Sequence, residues 1–186
     1  MRIISGFLKG KSIRFLKTSK TRPLKNAVRE SVFNILKHSN LIKVKIENSN
    51  ILDLYSGIGS FGIESLSRYA EKVTFIEKDK DAFYILKDNL IKLSLIDKSK
   101  IFNNTIENIL VDKLKEKFNI FFLDPPFADI NYLNNLKIIK EKKIFKKNHI
   151  VIIHREKKTN DNFDNILNII NLKLYGRSKI IFGVFI

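Results

Sequence analysis

The sequence predicts an α/β fold with a doubly wound, mostly parallel sheet of seven strands and one antiparallel strand at its edge. From residue 50 onward, short apolar runs alternate with stretches of helical spacing, the pattern of a parallel sheet covered by helices. The first apolar run leads directly into a glycine-rich turn. The last two runs are joined only by Gly176-Arg177-Ser178, and so short a link permits only an antiparallel hairpin. The 186 residues, 44% of them hydrophobic, suffice for one domain with a sizeable core.

The period of the apolar residues places each element. Strands are expected at 50–54, 72–76, 99–103, 119–123, 149–153, 169–175 and 180–186. Helices are expected at 60–69, 80–93, 106–117, 130–142 and 161–168. The earlier part of the chain predicts a β-hairpin over 2–16, a basic loop over 17–23 and an amphipathic helix over 24–39, with Arg29 and Glu30 on its polar side. We therefore divide the chain into a basic hairpin and helix extension, 1–45, and a ligand-binding unit, 46–186.

Residues 51–62 form the predicted ligand cradle, because a buried strand there ends in a glycine-rich turn and the start of a helix. Gly57 and Gly59 allow a positive φ and a close approach of the backbone to a ligand. The glycine spacing fits a nicotinamide dinucleotide, and Glu77, 20 residues after Gly57, is suitably placed to bind a ribose. Asp53 favours S-adenosylmethionine instead, because a carboxylate in this strand suits an ammonium group and would repel a pyrophosphate.

A second motif, Asp124-Pro125-Pro126-Phe127, follows the strand predicted at 119–123 and also favours S-adenosylmethionine. Hydride transfer has no use for this tetrapeptide, whereas methylation of an amino group has. The lone pair of an aryl amine is delocalised into its ring, so the amine must be held with that lone pair directed at the methyl carbon. Asp124 and the carbonyl of Pro125 can each accept one N–H, proline fixes the direction of that carbonyl, and Phe127 can stack on a base.

Charge and composition indicate the class of partner. The net charge is +16, and no acidic residue occurs between Met1 and Arg29. A segment of one sign is typical of a phosphate-binding surface, although the lysine bias of an AT-rich genome would also raise the charge. Without cysteine, and with three widely spaced histidines, the chain predicts neither a disulfide nor a metal site. No apolar run approaches the ~20 residues of a membrane span, and the N-terminus lacks the apolar core of a signal peptide, so we expect a cytoplasmic protein.

Five motifs occur in an order that resembles one bacterial enzyme family. They are Met1-Arg2-Ile3-Ile4-x-Gly6, Thr21-Arg22-Pro23, Val28-Arg29-Glu30-x-x-Phe33-Asn34, Asp53-Leu54-Tyr55-Ser56-Gly57-x-Gly59 and Asp124-Pro125-Pro126-Phe127. Over nearly the whole chain they resemble the family that methylates the exocyclic N2 of one guanine in 16S ribosomal RNA. This resemblance implies the Rossmann-like class I methyltransferase fold and S-adenosyl-L-methionine as the cofactor. It also implies 16S rRNA or the assembling 30S subunit as the partner, with the extension 1–45 facing the RNA of a monomeric enzyme.

The resemblance further implies roles for individual residues. The expected catalytic residues are Asp124, Pro125, Pro126 and Phe127. The expected cofactor-binding residues are Asp53, Tyr55, Gly57, Gly59, Glu77, Lys78, Asn104 and Thr105. Of these, Asn104 or Thr105 would replace an acidic residue that relatives of this fold often carry after the third strand. The expected RNA-binding residues are Arg2, Lys9, Lys11, Arg22, Arg29 and Asn34, and no metal ligand is expected.

Two points stay open at the level of sequence. Leu24-Lys25-Asn26 stands where the family usually has two threonines and an aspartate, which leaves the details of base recognition undetermined. Motifs of the Asp-Pro-Pro-Phe type also serve adenine N6 methylation in DNA and glutamine methylation in protein, and tRNA is a further candidate substrate. A catalytically inactive RNA-binding protein of ribosome assembly is the alternative outside this enzyme class.

Overall fold

The computed structural model describes residues 1–15 and 26–186. The basic loop predicted at 17–23, including Arg22, lies outside the described residues, as do the first two residues of the helix predicted at 24–39. In chain order the elements are α1 (Asn26–His38), β1 (Asn50–Leu54), α2 (Ser60–Ser67), β2 (Lys72–Ile76), α3 (Lys80–Lys92), a 3-10 turn (Ile96–Lys98), β3 (Ser99–Phe102), α4 (Ile106–Asp112), β4 (Phe118–Leu123), α5 (Tyr132–Lys142), β5 (Phe145–Glu156), β6 (Leu167–Tyr175) and β7 (Ser178–Phe185).

The strands form one seven-stranded sheet in the order β3-β2-β1-β4-β5-β7-β6. The first five strands of the chain pair in parallel, whereas β7 runs antiparallel to both of its neighbours. This confirms the predicted fold class. The reversed strand β7 lies one place in from the edge, because β6 pairs with its outer side. The strand order reverses between β1 and β4, and such a reversal leaves a crevice at the carboxyl ends of the strands.

The sheet separates two layers of apolar side chains. Alternate residues of β1 point to opposite faces, so Ile51 packs in one layer while Leu52 and Leu54 pack in the other. The first layer is covered by α1, α2 and α3, and the second by α4 and α5. Because both faces are covered, the central strands are buried along nearly their whole length, which explains their continuous apolar runs.

The N-terminal segment docks on the C-terminal half of α2. Its predicted hairpin is short: one antiparallel bridge joins Arg2 and Ser12, with backbone bonds from Ile3 to Lys11 and from Ile13 to Met1 on either side. The buried carboxylate of Glu64 accepts the backbone N–H groups of Ile4 and Ser5 at 2.8 and 2.9 Å. Phe7 donates its backbone N–H to the carbonyl oxygen of Ser67 at 2.9 Å. These bonds fix the short hairpin to α2.

The same segment contributes to the core. Ile3 and Ile13 are each 2% exposed and belong to the layer that also contains Ile51. Val32 and Phe33 of α1 are fully buried in that layer as well. The division into 1–45 and 46–186 stays a prediction, and the two parts share one apolar layer.

The prediction of a helix at 161–168 is wrong. The backbone bonds from Ile166 and Leu167 back to the carbonyl of Phe163 form a single turn, and the chain then becomes extended. Leu167 pairs with Phe185 of β7, so strand pairing captures the apolar residues that have helical spacing in the sequence. The helix predicted at 106–117 also ends early, at Asp112. Among the described residues, no helix is long and apolar enough to cross a membrane.

Candidate active site

A cleft of about 1020 Å³ opens at the carboxyl ends of the strands, where the strand order reverses. One half of its wall comes from the loops after β1, β2 and β3, with Tyr55–Ile58, Ser60, Ile76–Asp79 and Asn104–Glu107. The other half comes from α1, the loop after β4, the end of β5 and the β6–β7 turn, with Ala27, Val28, Asp124–Phe127, Asp129, Asn131, His154 and Tyr175–Ser178. Both sequence motifs singled out above therefore contribute to one cavity.

Glu77 ties the glycine-rich turn to the end of β2. Its Oε2 accepts the backbone N–H of Gly57 at 2.7 Å, and its Oε1 accepts the backbone N–H of Asp79 at 2.8 Å. Burial raises the pKa of Glu77, although the two backbone donors act in the opposite direction. Gly57 has a φ of 53°, and a Cβ added there would meet no atom within 4 Å, so its backbone borders open space. The structure thus brings these two predicted cofactor-binding residues into direct contact.

Asp53 and Gly59 are not part of the cleft wall, and their contact with the cofactor stays a prediction. Asp53 is 1% exposed, and its Oδ2 accepts the backbone N–H of Gly62 in the first turn of α2 at 3.0 Å. Burial raises the pKa of Asp53 well above its ordinary value. Gly59 has a φ of 84°, and a Cβ there would lie 2.4 Å from Leu86 Cδ1. Both residues pack beneath the glycine-rich turn, where they contact α2 and α3 instead of the cavity.

The remaining predicted cofactor-binding residues do line the cleft. Tyr55 has a φ of 60°, and its hydroxyl accepts the amide of Asn135 at 3.1 Å. Burial raises the pKa of the Tyr55 hydroxyl, which keeps it protonated. Thr105 caps α4 by accepting the N–H of Asn108, and the Oδ1 of Asn104 accepts the N–H of Thr105 at 2.7 Å. The third-strand loop therefore presents amide and hydroxyl groups to the cleft. The exposed Lys78 lies at the rim.

The Asp124 motif follows β4 and faces the glycine-rich turn across the cavity. The Oδ1 of Asp124 lies 2.7 Å from the Nδ1 of His154, the residue that lines the cleft near the end of β5. The carbonyls of Pro126 and Phe127 accept the two terminal nitrogens of Arg155, each at 3.1 Å. Within residues 1–15 and 26–186, no protein donor bonds the carbonyl of Pro125 or the Oδ2 of Asp124. These are the two acceptors that the sequence assigns to the amine.

Comparisons with known proteins agree on one family. A family model described as "Conserved hypothetical protein 95" matches residues 1–184. Ribosomal RNA small subunit methyltransferase D of Buchnera aphidicola subsp. Baizongia pistaciae is 36% identical over 160 residues, covering 86% of this chain and 78% of that protein. The Haemophilus influenzae protein of the same name is 33% identical over 159 residues, covering 84% and 79%. The chain belongs to the family of ribosomal RNA small subunit methyltransferase D.

A solved structure supports this membership of the methyltransferase family. The yhhF protein of Escherichia coli matches with a TM-score of 0.84 at 25% sequence identity, covering 98% of this chain and 96% of that one. The match spans the N-terminal segment as well as the sheet. The family resemblance predicted from the five motifs is confirmed.

Of the RNA-binding residues predicted for this methyltransferase, Arg29 requires correction. It is fully buried, and its guanidinium donates to the carbonyl of Arg2 at 2.6 Å and to Asn26 Oδ1 at 3.2 Å. Burial lowers the pKa of Arg29, with Glu64 acting in the opposite direction. The side chain of Arg29, predicted on the polar side of α1, therefore points toward the interior of the protein. In this structure its guanidinium bonds the N-terminal segment against α1 and is not exposed to solvent.

The other predicted RNA-binding residues of the methyltransferase are exposed but lie outside the cleft wall. They are Arg2, Lys9, Lys11 and Asn34. Lys9 and Lys11 belong to the segment docked at Ser67, the far end of α2 from the cleft residue Ser60. Arg22 lies outside the described residues.

Several cleft residues of the methyltransferase were missed by sequence reasoning. His154 lines the cleft and Arg155 lies buried next to it, and a polar pair at the end of a strand on this side of the sheet is a usable signal. Tyr175 lines the cleft from the β6–β7 hairpin, and its hydroxyl bonds the Ser31 hydroxyl of α1. No local pattern marks Tyr175, because the hairpin reaches the cleft only through sheet topology. Within the part of the chain that the structure describes, no group of three or more metal-ligating side chains comes together.

Proposed function

We propose that this protein transfers a methyl group from S-adenosylmethionine to the exocyclic N2 of a guanine in 16S ribosomal RNA. The observation that carries the proposal is the shared cleft. The turn at Gly57 with Glu77 and the loop at Asp124–Phe127 line one cavity at the switch point of the sheet. Membership of the small subunit methyltransferase D family supports the choice of substrate class.

The residues present fit the cofactor. Gly57 leaves open space beside the backbone, and Glu77 presents a carboxylate fixed by two backbone donors. Glu77 would hold ribose hydroxyls, and Asn104 with Thr105 would border the adenine. The bound cofactor supplies an electrophilic methyl group on a sulfonium. A cleft of about 1020 Å³ is at the upper end of the volumes typical for a single small ligand, roughly 300–1,000 Å³, so it offers space for a base beside the cofactor.

The loop after β4 supplies the amine site. Asp124 Oδ2 and the Pro125 carbonyl accept no bond from the described residues and are suited to the two hydrogens of a primary aryl amine. Accepting both hydrogens fixes the plane of the amine and directs its lone pair across the cleft. The amine needs no base before attack. Once methylated and cationic, it releases one proton, for which the bonded Asp124 carboxylate is an acceptor.

We propose RNA as the substrate because of the positive charge of the chain and the partial exposure of Phe127. The chain carries a net charge of +16, and its first 29 residues include no acidic residue. Phe127 is half-buried at the cleft, so part of its ring is free to stack on an extruded base. We propose a monomeric enzyme that acts in the cytoplasm on 16S rRNA or an assembling 30S particle. No observation favours DNA adenine, tRNA or a protein glutamine as the target.

The test is labelled methyl transfer to a panel of 16S rRNA, 30S particles, tRNA, DNA and a glutamine-containing release factor. Mass spectrometry of the nucleosides then identifies the methylated position. We expect N2-methylguanine from 16S rRNA or 30S particles alone. Transfer to another member of the panel, or to none, contradicts the proposal.

Two variants connect this result to the cleft. Asp124→Ala should keep the affinity for S-adenosylhomocysteine measured by calorimetry and lose turnover. Asp164→Ala changes an exposed aspartate far from the motif in sequence and should keep both. An inactive RNA-binding protein would show no transfer in any of the three proteins.

A further inference from the structure

A buried arginine lies behind the Asp124 motif. Arg155 is 2% exposed, and its two terminal nitrogens donate to the carbonyls of Pro126 and Phe127, each at 3.1 Å. The carbonyl of Pro126 also accepts the backbone N–H of Asp129 at 2.8 Å. The loop is therefore held at two consecutive peptide groups. These are the peptide groups that immediately follow the two acceptors assigned to the amine.

The arginine is itself held from behind by Asp161. The Nε of Arg155 donates to Asp161 Oδ1 at 3.1 Å, and Tyr132 donates its hydroxyl to the same oxygen at 2.7 Å. Asp161 Oδ2 accepts the Thr159 hydroxyl at 2.7 Å and lies 3.0 Å from Lys179 Nζ. Burial acts to raise the pKa of Asp161, but these donors together hold that pKa below its ordinary value. The guanidinium also lies over the Tyr132 ring, with its Cζ 4.6 Å from the ring centroid.

Stability alone does not account for such an arrangement. Burying an ion pair costs desolvation that its own attraction often fails to repay, and apolar side chains of the same volume commonly stabilise a fold as well. What apolar side chains cannot provide is a rigid fork that fixes two neighbouring carbonyl groups in one orientation. The bonds of Arg155 use the planar geometry of the guanidinium, and a lysine ammonium cannot reproduce it.

We propose that Arg155, held by Asp161, is a positioning residue for the methylation reaction: it fixes the loop so that Asp124 Oδ2 and the Pro125 carbonyl face the substrate amine. Proline at 125 and 126 removes two backbone donors from the loop, so no helix or strand ladder can hold this backbone. The fork of Arg155 takes their place. This inference rests on the proposed function, since it concerns the amine site of that reaction.

The first test is Arg155→Lys, which keeps the charge and removes the fork. We expect kcat to fall by about 10- to 100-fold, because displacements of the order of 1 Å at a reacting group have effects of this size. The affinity for S-adenosylhomocysteine should change less than about twofold, because the cofactor half of the cleft is untouched. Leu90→Ala, a core truncation on the opposite face of the sheet, is the control. It should lower the unfolding midpoint and leave kcat unchanged.

Chemical rescue separates positioning from simple loss of stability. In Arg155→Ala, millimolar methylguanidinium should restore several-fold of the lost kcat, whereas methylammonium at the same concentration should not. A variant that is impaired only through unfolding responds equally to both cations. An unchanged kcat in Arg155→Lys, or equal rescue by the two cations, overturns the inference.

Hydrogen exchange makes the inference testable independently of activity. The N–H of Asp129 bonds the Pro126 carbonyl, so exchange in the peptide 124–131 reports the order of the loop. We expect faster exchange there in Arg155→Lys, and unchanged exchange in β1. Unchanged exchange in 124–131 overturns the inference whether or not RNA is methylated. Absence of methyl transfer by the unmodified protein, with loop exchange accelerated in the variant, contradicts the proposed function alone.

Discussion

The Nδ1 of His154 lies 2.7 Å from the Oδ1 of Asp124, at the point where β4 and β5 enter the cleft. The two side chains are 12% and 23% exposed. This bond occupies one carboxylate oxygen, so in the proposed reaction Oδ2 is the oxygen available to the substrate amine. The ring of His154 also meets Phe127 edge to face, with centroids 5.8 Å apart. One histidine thus contacts both ends of the four-residue motif.

Replacing His154 should impair turnover without affecting the cofactor. In His154→Leu the carboxylate of Asp124 loses its partner and can rotate, so we expect kcat to fall by about tenfold, the lower range for a lost positioning contact. The affinity for S-adenosylhomocysteine should stay within about twofold. Single-turnover methylation of 16S rRNA and calorimetry measure the two quantities. His154→Gln, which retains a donor, should recover part of the rate, and equal rates in the two variants would argue against an orienting bond.

Glu77→Gln should weaken cofactor binding by at least about tenfold, or about 1.4 kcal/mol. Both oxygens of Glu77 accept backbone N–H groups, from Gly57 and Asp79. A glutamine places an NH2 group against one of these donors, which leaves a backbone N–H without its acceptor and disturbs the turn. Calorimetry with S-adenosylhomocysteine measures the loss. Glu71→Gln, at an exposed position before β2, should bind as the unmodified protein does. Full affinity in Glu77→Gln contradicts the assignment.

Asp53→Asn should change the pH dependence of stability in a defined direction. Burial raises the pKa of Asp53, so between its ordinary value of about 3.9 and the raised value the folded state keeps a proton that the unfolded state has lost. In that window the contribution of Asp53 to the free energy of unfolding falls as pH rises. Asparagine carries no such proton. The stability of the variant relative to the unmodified protein should therefore increase with pH and level off above the raised value.

Urea unfolding between pH 4 and pH 8 measures this difference directly. Asp164→Asn, at an exposed site, should show a difference that is nearly independent of pH. A difference that is flat or decreases with pH for Asp53→Asn would mean that the carboxylate is already ionised in the folded state and stabilised by its bond to Gly62. The experiment thus separates a carboxyl that is neutral when no cofactor is bound from one that is already charged.

The sequence predicts correctly those strands and loops whose position depends on neighbouring residues in the chain. The strands at 50–54 and 72–76 coincide with β1 and β2, because apolar runs that end in glycine or charged residues mark their own boundaries. Gly57 and Asp124 lie at the cleft because each is in the loop that follows a parallel strand. Short-range pattern therefore predicts both halves of the cavity.

The errors concern residues whose environment is made by distant parts of the chain. Arg29 looks like a surface residue until the carbonyl of Arg2 is brought against α1 to accept its N–H. Arg155 likewise looks ordinary without Pro126, 29 positions earlier. The apolar spacing of 163–170 fits a helix, yet pairing with β7 decides for a strand. In each case tertiary contacts override a correct local pattern.

Two glycines in the N-terminal segment provide a matched pair for a stability prediction. Gly6 and Gly10 both have a φ of 84°, so alanine is strained at either position. At Gly6 a Cβ would lie 1.7 Å from the backbone oxygen of Ser67, whereas at Gly10 it would meet nothing within 4 Å. Gly10→Ala should therefore cost only the backbone strain, about 1–2 kcal/mol. Gly6→Ala should cost about 2–5 kcal/mol, because overpacking against a fixed backbone adds to the same strain.

The excess at Gly6 should appear as partial release of the N-terminal segment. The close approach of Gly6 to α2 allows Phe7 and Leu8 to donate their N–H groups to Ser67. We expect Gly6→Ala to lower the urea midpoint and to speed hydrogen exchange at residues 3–13, while Gly10→Ala leaves that exchange near its original rate. Equal destabilisation by the two variants would show that backbone strain alone determines the cost. The docking of this segment on α2 would then contribute little to the stability of the fold.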